Sequence, residues 1–304
     1  MATISGEIRD ENNDLLADCV VRAYRRDTGA LLVAGLSGDG SPEEPGDADY
    51  ASVSLLLHCD GTDGSTTFTD NSPTPKTVTA YGNAHIETDQ SKFGGASAYF
   101  DGAGDYLSIP NATDLTLSDA TTWTIEGWMY PLDSRANSTL ISKRSGSNPT
   151  SYYCGRLSGQ LVFYNGTTLY TQTGTTANNS WTHFAYVFNA GNLKIFADGT
   201  KVGEWGSVAL SEVNTVINIG RHYSTIEEAF NGYLDDLRIT KGVACYNANF
   251  TPPTAAFLDY AVTPAKPLGE YTLTTAYTDE VQVIALDPAG GTTFNDLILR
   301  TTPV

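Results

Sequence analysis

The residues able to do chemistry in this chain are mostly carboxylates in turns. Asp60, Asp63, Asp70, Asp101, Asp105, Asp235 and Asp236 stand at turns or strand ends. Carboxylate oxygens suit hard cations, but none of these residues follows the EF-hand spacing. Retaining glycosidases need two carboxyl groups about 5–5.5 Å apart. Glu126 is the only acid between Trp123 and Tyr130, and the neighbours Asp235 and Asp236 point to opposite faces of any strand that holds them. Neither segment offers a same-face pair. His58, His85, His183 and His222 occur without a G-x-S-x-G elbow or an H-E-x-x-H motif. Cys19, Cys59, Cys154 and Cys245 form no C-x-x-C pair and no zinc pattern, and read as thiols. What remains is non-covalent recognition. The chain has 17 Tyr, 11 Phe and 4 Trp, and sugar rings stack on exposed aromatics. Trp123 and Trp128 lie an odd number of residues apart, hence on opposite faces of one strand. Tyr152, Tyr153, Tyr164, Tyr170, His222 and Tyr223 are the candidates for a carbohydrate-binding rim.

Strands and turns must position these residues. Runs of Val, Ile, Thr, Tyr and Phe alternate in polarity and end in Gly, Asn, Asp or Pro. Such runs are Cys19–Arg26, Thr122–Tyr130, Gln160–Tyr164, Trp181–Phe188, Asn192–Ala197 and Gly232–Thr240. Asp198-Gly199 between KIFA and TKVGEW predicts a tight hairpin. No long segment carries a capped 3.6-residue period, so helix is minor. The fold class is all-β, of the sandwich type.

Two segments rich in Pro, Gly or acid, Gly38–Asp49 and Thr251–Pro267, mark boundaries. They leave a middle block at 50–257 and two outer pieces, 1–40 and 267–304, with 41–49 and 258–266 as linkers. Each outer piece is too short to bury a sufficient core alone. Each supplies short strands: Ile4–Arg9, Cys19–Arg26 and Leu31–Leu36 before the block, Glu270–Thr275, Glu280–Leu286 and Asn295–Arg300 after it. The expectation is one discontinuous domain with the middle block inserted at an exposed turn.

The outer pieces, ISGEIRDENNDLLADCVVRAYRRDTGALLVAGLSGDG and GEYTLTTAYTDEVQVIALDPAGGTTFNDLILRTTP, resemble a carboxypeptidase regulatory-like, immunoglobulin-type module of bacteriophage structural proteins. The middle block carries LLLHCDGTDGSTTFTDNS, SKFGGASAYFDGAGDYLSIP, WTIEGWMYP, SWTHFAYVFNAGNLKIFADGTKVG, INIGRHY and FNGYLDDLRITKGVACY. In that order, these motifs resemble the concanavalin A-like, laminin-G-like (LamG type 3) jelly roll. The resemblance implies one structural calcium between an early acidic turn and a late strand, here Asp60 and Asp236, with Asp235 as the alternative.

Charge narrows the partners. With 17 Lys+Arg against 35 Asp+Glu the chain carries −18. It lacks the basic surface that neutralises phosphates, so no nucleic acid is expected. No apolar run is long enough to insert into a membrane, and no secretory signal is visible at the start. The resemblance implies a non-enzymatic, tail-associated virion protein with a lectin-like domain for adhesion to host-surface glycans. Its partners would be other virion proteins and further copies of itself, as a homo-oligomer. The alternatives are a capsid decoration protein, or a secreted carbohydrate-binding module or glycoside hydrolase.

Overall fold

A computed structural model describes residues 47–145, 151–222 and 228–260 in full. It also describes the backbone of strands at 2–7, 20–25, 31–36, 270–275, 280–286 and 293–300. The chain forms two compact units: Asp47–Ala261, and Met1–Gly46 together with Val262–Val304.

In the outer unit the two ends of the chain pair with each other. Strand β1 (Ala2–Glu7) runs antiparallel to β19 (Glu270–Thr275). A second sheet has the order β21 (Thr293–Arg300), β20 (Glu280–Leu286), β2 (Val20–Arg25), β3 (Leu31–Leu36).

The inner unit is a sandwich of two antiparallel sheets. Among the described residues, one sheet has seven strands. Their order is β13 (Leu169–Thr171), β12 (Gln160–Tyr164), β11 (Tyr152–Leu157), β10 (Ser138–Lys143), β17 (Ile217–Ile219), β8 (Tyr106–Ile109) and β5 (Thr79–Tyr81). The other runs β16 (Thr200–Trp205), β15 (Asn192–Ala197), β14 (Thr182–Asn189), β9 (Thr122–Pro131), β18 (Asn231–Lys241), β7 (Ser97–Asp101) and β6 (His85–Glu87). An eighth strand, β4 (Val53–Leu57), also pairs with β18. Two 3₁₀ turns, Tyr50–Ser52 and Thr113–Leu115, lie in the unit.

The core lies between the sheets and follows the two-residue alternation of each strand. Trp123, Ile125 and Met129 of β9 meet Phe163, Phe184, Tyr186, Leu107 and Ile217 there. Trp123 stacks on Phe188 with ring centroids 5.3 Å apart, whereas Trp128 lies on the other face of β9, against His183. The Asp198-Gly199 turn joins β15 to β16 with φ of 47° and 71°. Both residues are left-handed, as a type I′ hairpin requires. A Cβ on Gly199 would overlap the Phe250 carbonyl, so glycine is also required sterically.

Strand β18 breaks its own alternation. Leu234 and Leu237 both enter the core, because Asp236, at φ 48°, is an extra residue against β9. This bulge re-aims two adjacent carboxylates, a usual effect of such insertions.

The boundary segments are packed at the neck of this unit. The Asp47 N–H donates to the Tyr260 carbonyl (2.9 Å), and Asp47 Oδ2 accepts from Arg238 (2.6 Å). Asp47–Asp49 and Leu258–Tyr260, expected within linkers, thus belong to the sandwich.

Candidate functional site

The outer face of the seven-stranded sheet carries a continuous cross-strand row. Directly paired residues share a face. The register links Thr79 to Ser108, Ser108 to Asn218, Asn218 to Ser142, Ser142 to Tyr153, Tyr153 to Tyr164, and Tyr164 to Leu169. Tyr81 pairs with Tyr106 on the same face, and their rings are parallel with centroids 4.6 Å apart. Tyr81 is 45% exposed. Tyr81, Leu169 and Val216 are exposed large apolar residues of this sheet and its rim.

Two sub-sites follow. In the first, Tyr153 stacks on Tyr164 at 5.4 Å and meets the edge of His222 at 5.3 Å. Arg144 lies over Tyr164 and 2.8 Å from His222 Nε2. The second is an open groove of about 250 Å³ lined by Tyr81, Tyr106, Ser108, Asn218, Arg144 and Arg221, among others. The Arg221 guanidinium lies flat on Tyr106, 3.5 Å from the ring centroid. The chain leaving β17 is held against the sheet where Ser142 Oγ donates to the Arg221 carbonyl (2.9 Å).

Of the rim expected from sequence, Tyr153, Tyr164 and His222 come together on this face. Tyr152 and Tyr170 do not. Tyr152 is wholly buried and stacks on Phe163 in the core. Tyr170 is paired with Phe163 and turns inward toward Trp205. The reason is the pleat: Tyr152 precedes Tyr153 on one strand, so only one of the two can face outward. Tyr223 lies outside the described residues. The sequence reading missed Tyr81, Tyr106, Ser108, Asn218 and Arg221. The alternation of Tyr106–Ile109 marks Tyr106 and Ser108 as outward once Leu107 and Ile109 are core. Which strands flank them is not written in the alternation.

The three carboxylates expected to hold calcium are neighbours, but they do not form a ligand set. No group of three His, Cys, Asp or Glu side chains among the described residues converges as a metal site. Both Asp236 oxygens are occupied, by His58 Nδ1 (2.7 Å) and the Phe257 N–H (2.8 Å). Asp235 Oδ2 accepts the N–H groups of Lys92 and Phe93, and its Oδ1 is buried without a partner. A Cβ on Gly94 would overlap the Asp60 carboxylate. Burial raises the Asp235 carboxyl to about 7, opposed by those two N–H groups and assisted by Asp236 and Asp60.

The raised pKa lessens the charge that the orphan oxygen carries near neutrality. The folded protein holds the Asp235 proton over a pH range in which the unfolded chain has released it. The group thus destabilises the fold as pH rises from about 4 to about 7, and no further above that. Urea titrations in EDTA should show the stability difference between Asp235→Asn and wild type growing by up to about 4 kcal/mol in favour of the variant across that window. A difference independent of pH would contradict this.

The outer face of the eight-stranded sheet holds the other buried polar cluster. Glu126 accepts from Arg238 Nε (3.0 Å) and Nη2 (2.7 Å) through Oε1, and from the Tyr246 hydroxyl (2.7 Å) through Oε2. Burial works to raise its carboxyl, but Arg238, His183 and Tyr246 outweigh it and the pKa is lowered. Tyr246 and Phe250, stacked on each other, cover the apolar patch of Ala185, Val187 and Phe196 beside it. Glu126 is thus a fixed anion under a lid of side chains, suited to holding Arg238 rather than donating a proton to a substrate.

Comparison with known proteins agrees with this architecture. Residues 101–244 match the model of the Laminin_G_3 family, described as the concanavalin A-like lectin/glucanases superfamily. No curated protein matches the chain in sequence. Among solved structures, the binding domain of Paraclostridial Mosquitocidal Protein 1 is similar at a TM-score of 0.50 and 13% identity, covering 63% of this chain and 49% of that one. Domain 4 of AbnA, an extracellular arabinanase of Geobacillus stearothermophilus in complex with arabinotriose, gives 0.48 and 17%, covering 63% and 93%. The binding domain of Botulinum Neurotoxin DC in complex with SialylT gives 0.47 and 17%, covering 64% and 49%. This chain spans about half the length of the two toxin binding domains. The match over residues 101–244, the sheet order and the inward-facing core agree on the fold of the inner unit, a two-sheet sandwich of the concanavalin A-like jelly-roll kind.

Proposed function

We propose that the jelly roll is a glycan-binding domain without hydrolytic activity, and that it binds on the outer face of the seven-stranded sheet. The observation that carries this reading is the exposed, parallel Tyr81–Tyr106 pair beside Ser108 and Asn218 in an open groove. Aromatic faces supply apolar area at small entropic cost, and neighbouring hydroxyl and amide groups fix orientation. The glucanase half of the family description finds less support. Glu126 is committed to Arg238 and covered, and offers no second carboxylate across a cleft.

Glycan-array binding, run in calcium and in EDTA, tests the reading and the calcium expectation together. Tyr81→Ala is expected to weaken any bound glycan at least about tenfold, because truncating a central aromatic anchor costs more than about 1 kcal/mol. Its thermal midpoint should stay close to wild type, since the ring is half exposed. Unaltered glycan binding by this variant would move the site elsewhere.

The setting we propose is a virion surface. The outer unit, with its resemblance to a phage module, would attach the chain to the particle, and the jelly roll would be displayed. Co-sedimentation with intact phage particles supports that setting, and absence from purified virions removes it. A secreted carbohydrate-binding module is then the reading left.

A further inference from the structure

Two arginines line this groove of a strongly acidic protein. The chain carries −18, yet among the described residues no Asp or Glu lines this groove, while Arg144 and Arg221 both do. Several other described arginines and lysines are engaged by carboxylates: Arg135 by Asp133, Lys143 by Glu212, Arg238 by Glu126 and Asp47, Lys241 by Asp119. Arg221 is not. Its guanidinium rests on the Tyr106 ring, its Nε is buried with no hydrogen-bond partner, and no described carboxylate pairs with it.

Stacking on one face leaves the edge of a guanidinium available, and that edge is a planar fork matched to a carboxylate or sulfate. Ser108 and Asn218 stand beside it with hydroxyl and amide groups. Tyr81 extends the aromatic platform. The unpartnered Nε shows that the fold leaves this guanidinium incompletely satisfied, which is costly.

We infer that the groove takes an acidic glycan, one bearing a carboxylate or sulfate, whose anion docks on Arg221 while a sugar ring packs against the exposed part of Tyr81. This rests on the glycan-binding reading above and adds the charge of the ligand. The overall negative charge does not oppose it at contact, because screening at physiological salt confines distant charges to about 8 Å.

The test is an array that carries carboxylated and sulfated glycans beside their neutral parents, probed with the full chain at 0.15 M salt, on the order of physiological ionic strength. Wild type should prefer the acidic member of a pair at least about tenfold, and Arg221→Gln should abolish that preference. Arg221→Lys, which keeps the charge and loses the fork, should restore part of it. Thermal melting of each variant separates loss of binding from loss of fold. The carboxylated and sulfated arms distinguish the two sources of the anion. Equal binding of neutral parents by wild type, or a preference that survives in Arg221→Gln, overturns the inference and leaves the glycan-binding reading intact. Binding to no glycan overturns both.

Discussion

Glu126→Ala is expected to destabilise the jelly roll by about 3–5 kcal/mol, the cost of breaking a buried, hydrogen-bonded ion pair from one side. The substitution removes the acceptor for two guanidinium N–H groups and for the Tyr246 hydroxyl. Arg238 is 7% exposed and would keep only Asp47 as a charged partner. The Tyr246–Phe250 lid would lose its polar anchor. In a unit of this size that loss corresponds to a fall of roughly 6–20 °C in thermal midpoint. The comparison that isolates the cause is the double variant Glu126→Leu with Arg238→Met. Replacing both partners by apolar groups of similar volume is often neutral, so the pair should recover most of the loss. A Glu126→Ala protein within 1 kcal/mol of wild type, on the order of an exposed ion pair, would show that the cluster does not hold the sheet face together. Because its pKa is lowered in the fold, Glu126 contributes stability above its unfolded value near 4.5 and loses it as pH falls further.

Glu212→Ala is expected to cost a similar amount, and more than Lys143→Met. Both side chains are buried, at 2% and 0% exposed, and Lys143 Nζ lies 2.8 Å from Glu212 Oε2. The second oxygen of Glu212 accepts the Leu117 and Ser118 N–H groups at 2.7 and 3.1 Å. Removing the glutamate leaves the ammonium only the neutral Leu115 carbonyl and Thr116 hydroxyl and strands two backbone donors at once. Removing the lysine leaves the carboxylate still capped by two N–H groups. The expected order is about 3–5 kcal/mol for Glu212→Ala and roughly half that for Lys143→Met, read by urea denaturation. The chain around Glu212 leads to Thr215 and Val216, which line the groove. Glu212→Ala should therefore also weaken glycan binding under conditions where it is still folded. Equal destabilisation by the two variants would contradict the asymmetry.

Sequence alone determined the local structure. Val/Ile/Tyr alternation places strands at Gln160–Tyr164 and Asn192–Ala197 with the bounds found in the structure. Asp-Gly at 198–199 encodes its hairpin, since few other residue pairs accept two left-handed conformations. The opposed faces of Trp123 and Trp128 follow from the same two-residue period. These features depend on neighbours within a few residues, and a local pattern suffices to read them.

Tertiary structure decided the rest. The bulge at Asp236 shifts the faces of β18 relative to a simple alternation, so Asp236 pairs with His58 while Asp235 accepts the Lys92 and Phe93 N–H groups. Tyr152 and Tyr170 read as loop aromatics, yet Tyr152 lies in the core and Tyr170 packs half-buried against it, because strand register, not residue type, sets which ring of a pair faces outward. The groove unites Tyr81, Tyr106, Asn218 and Arg221, which come from β5, β8, β17 and the turn after it. Their adjacency is a product of sheet order among strands far apart in sequence. The −18 of the whole chain gives no hint of it, since a sum of charges does not say where two arginines line one groove.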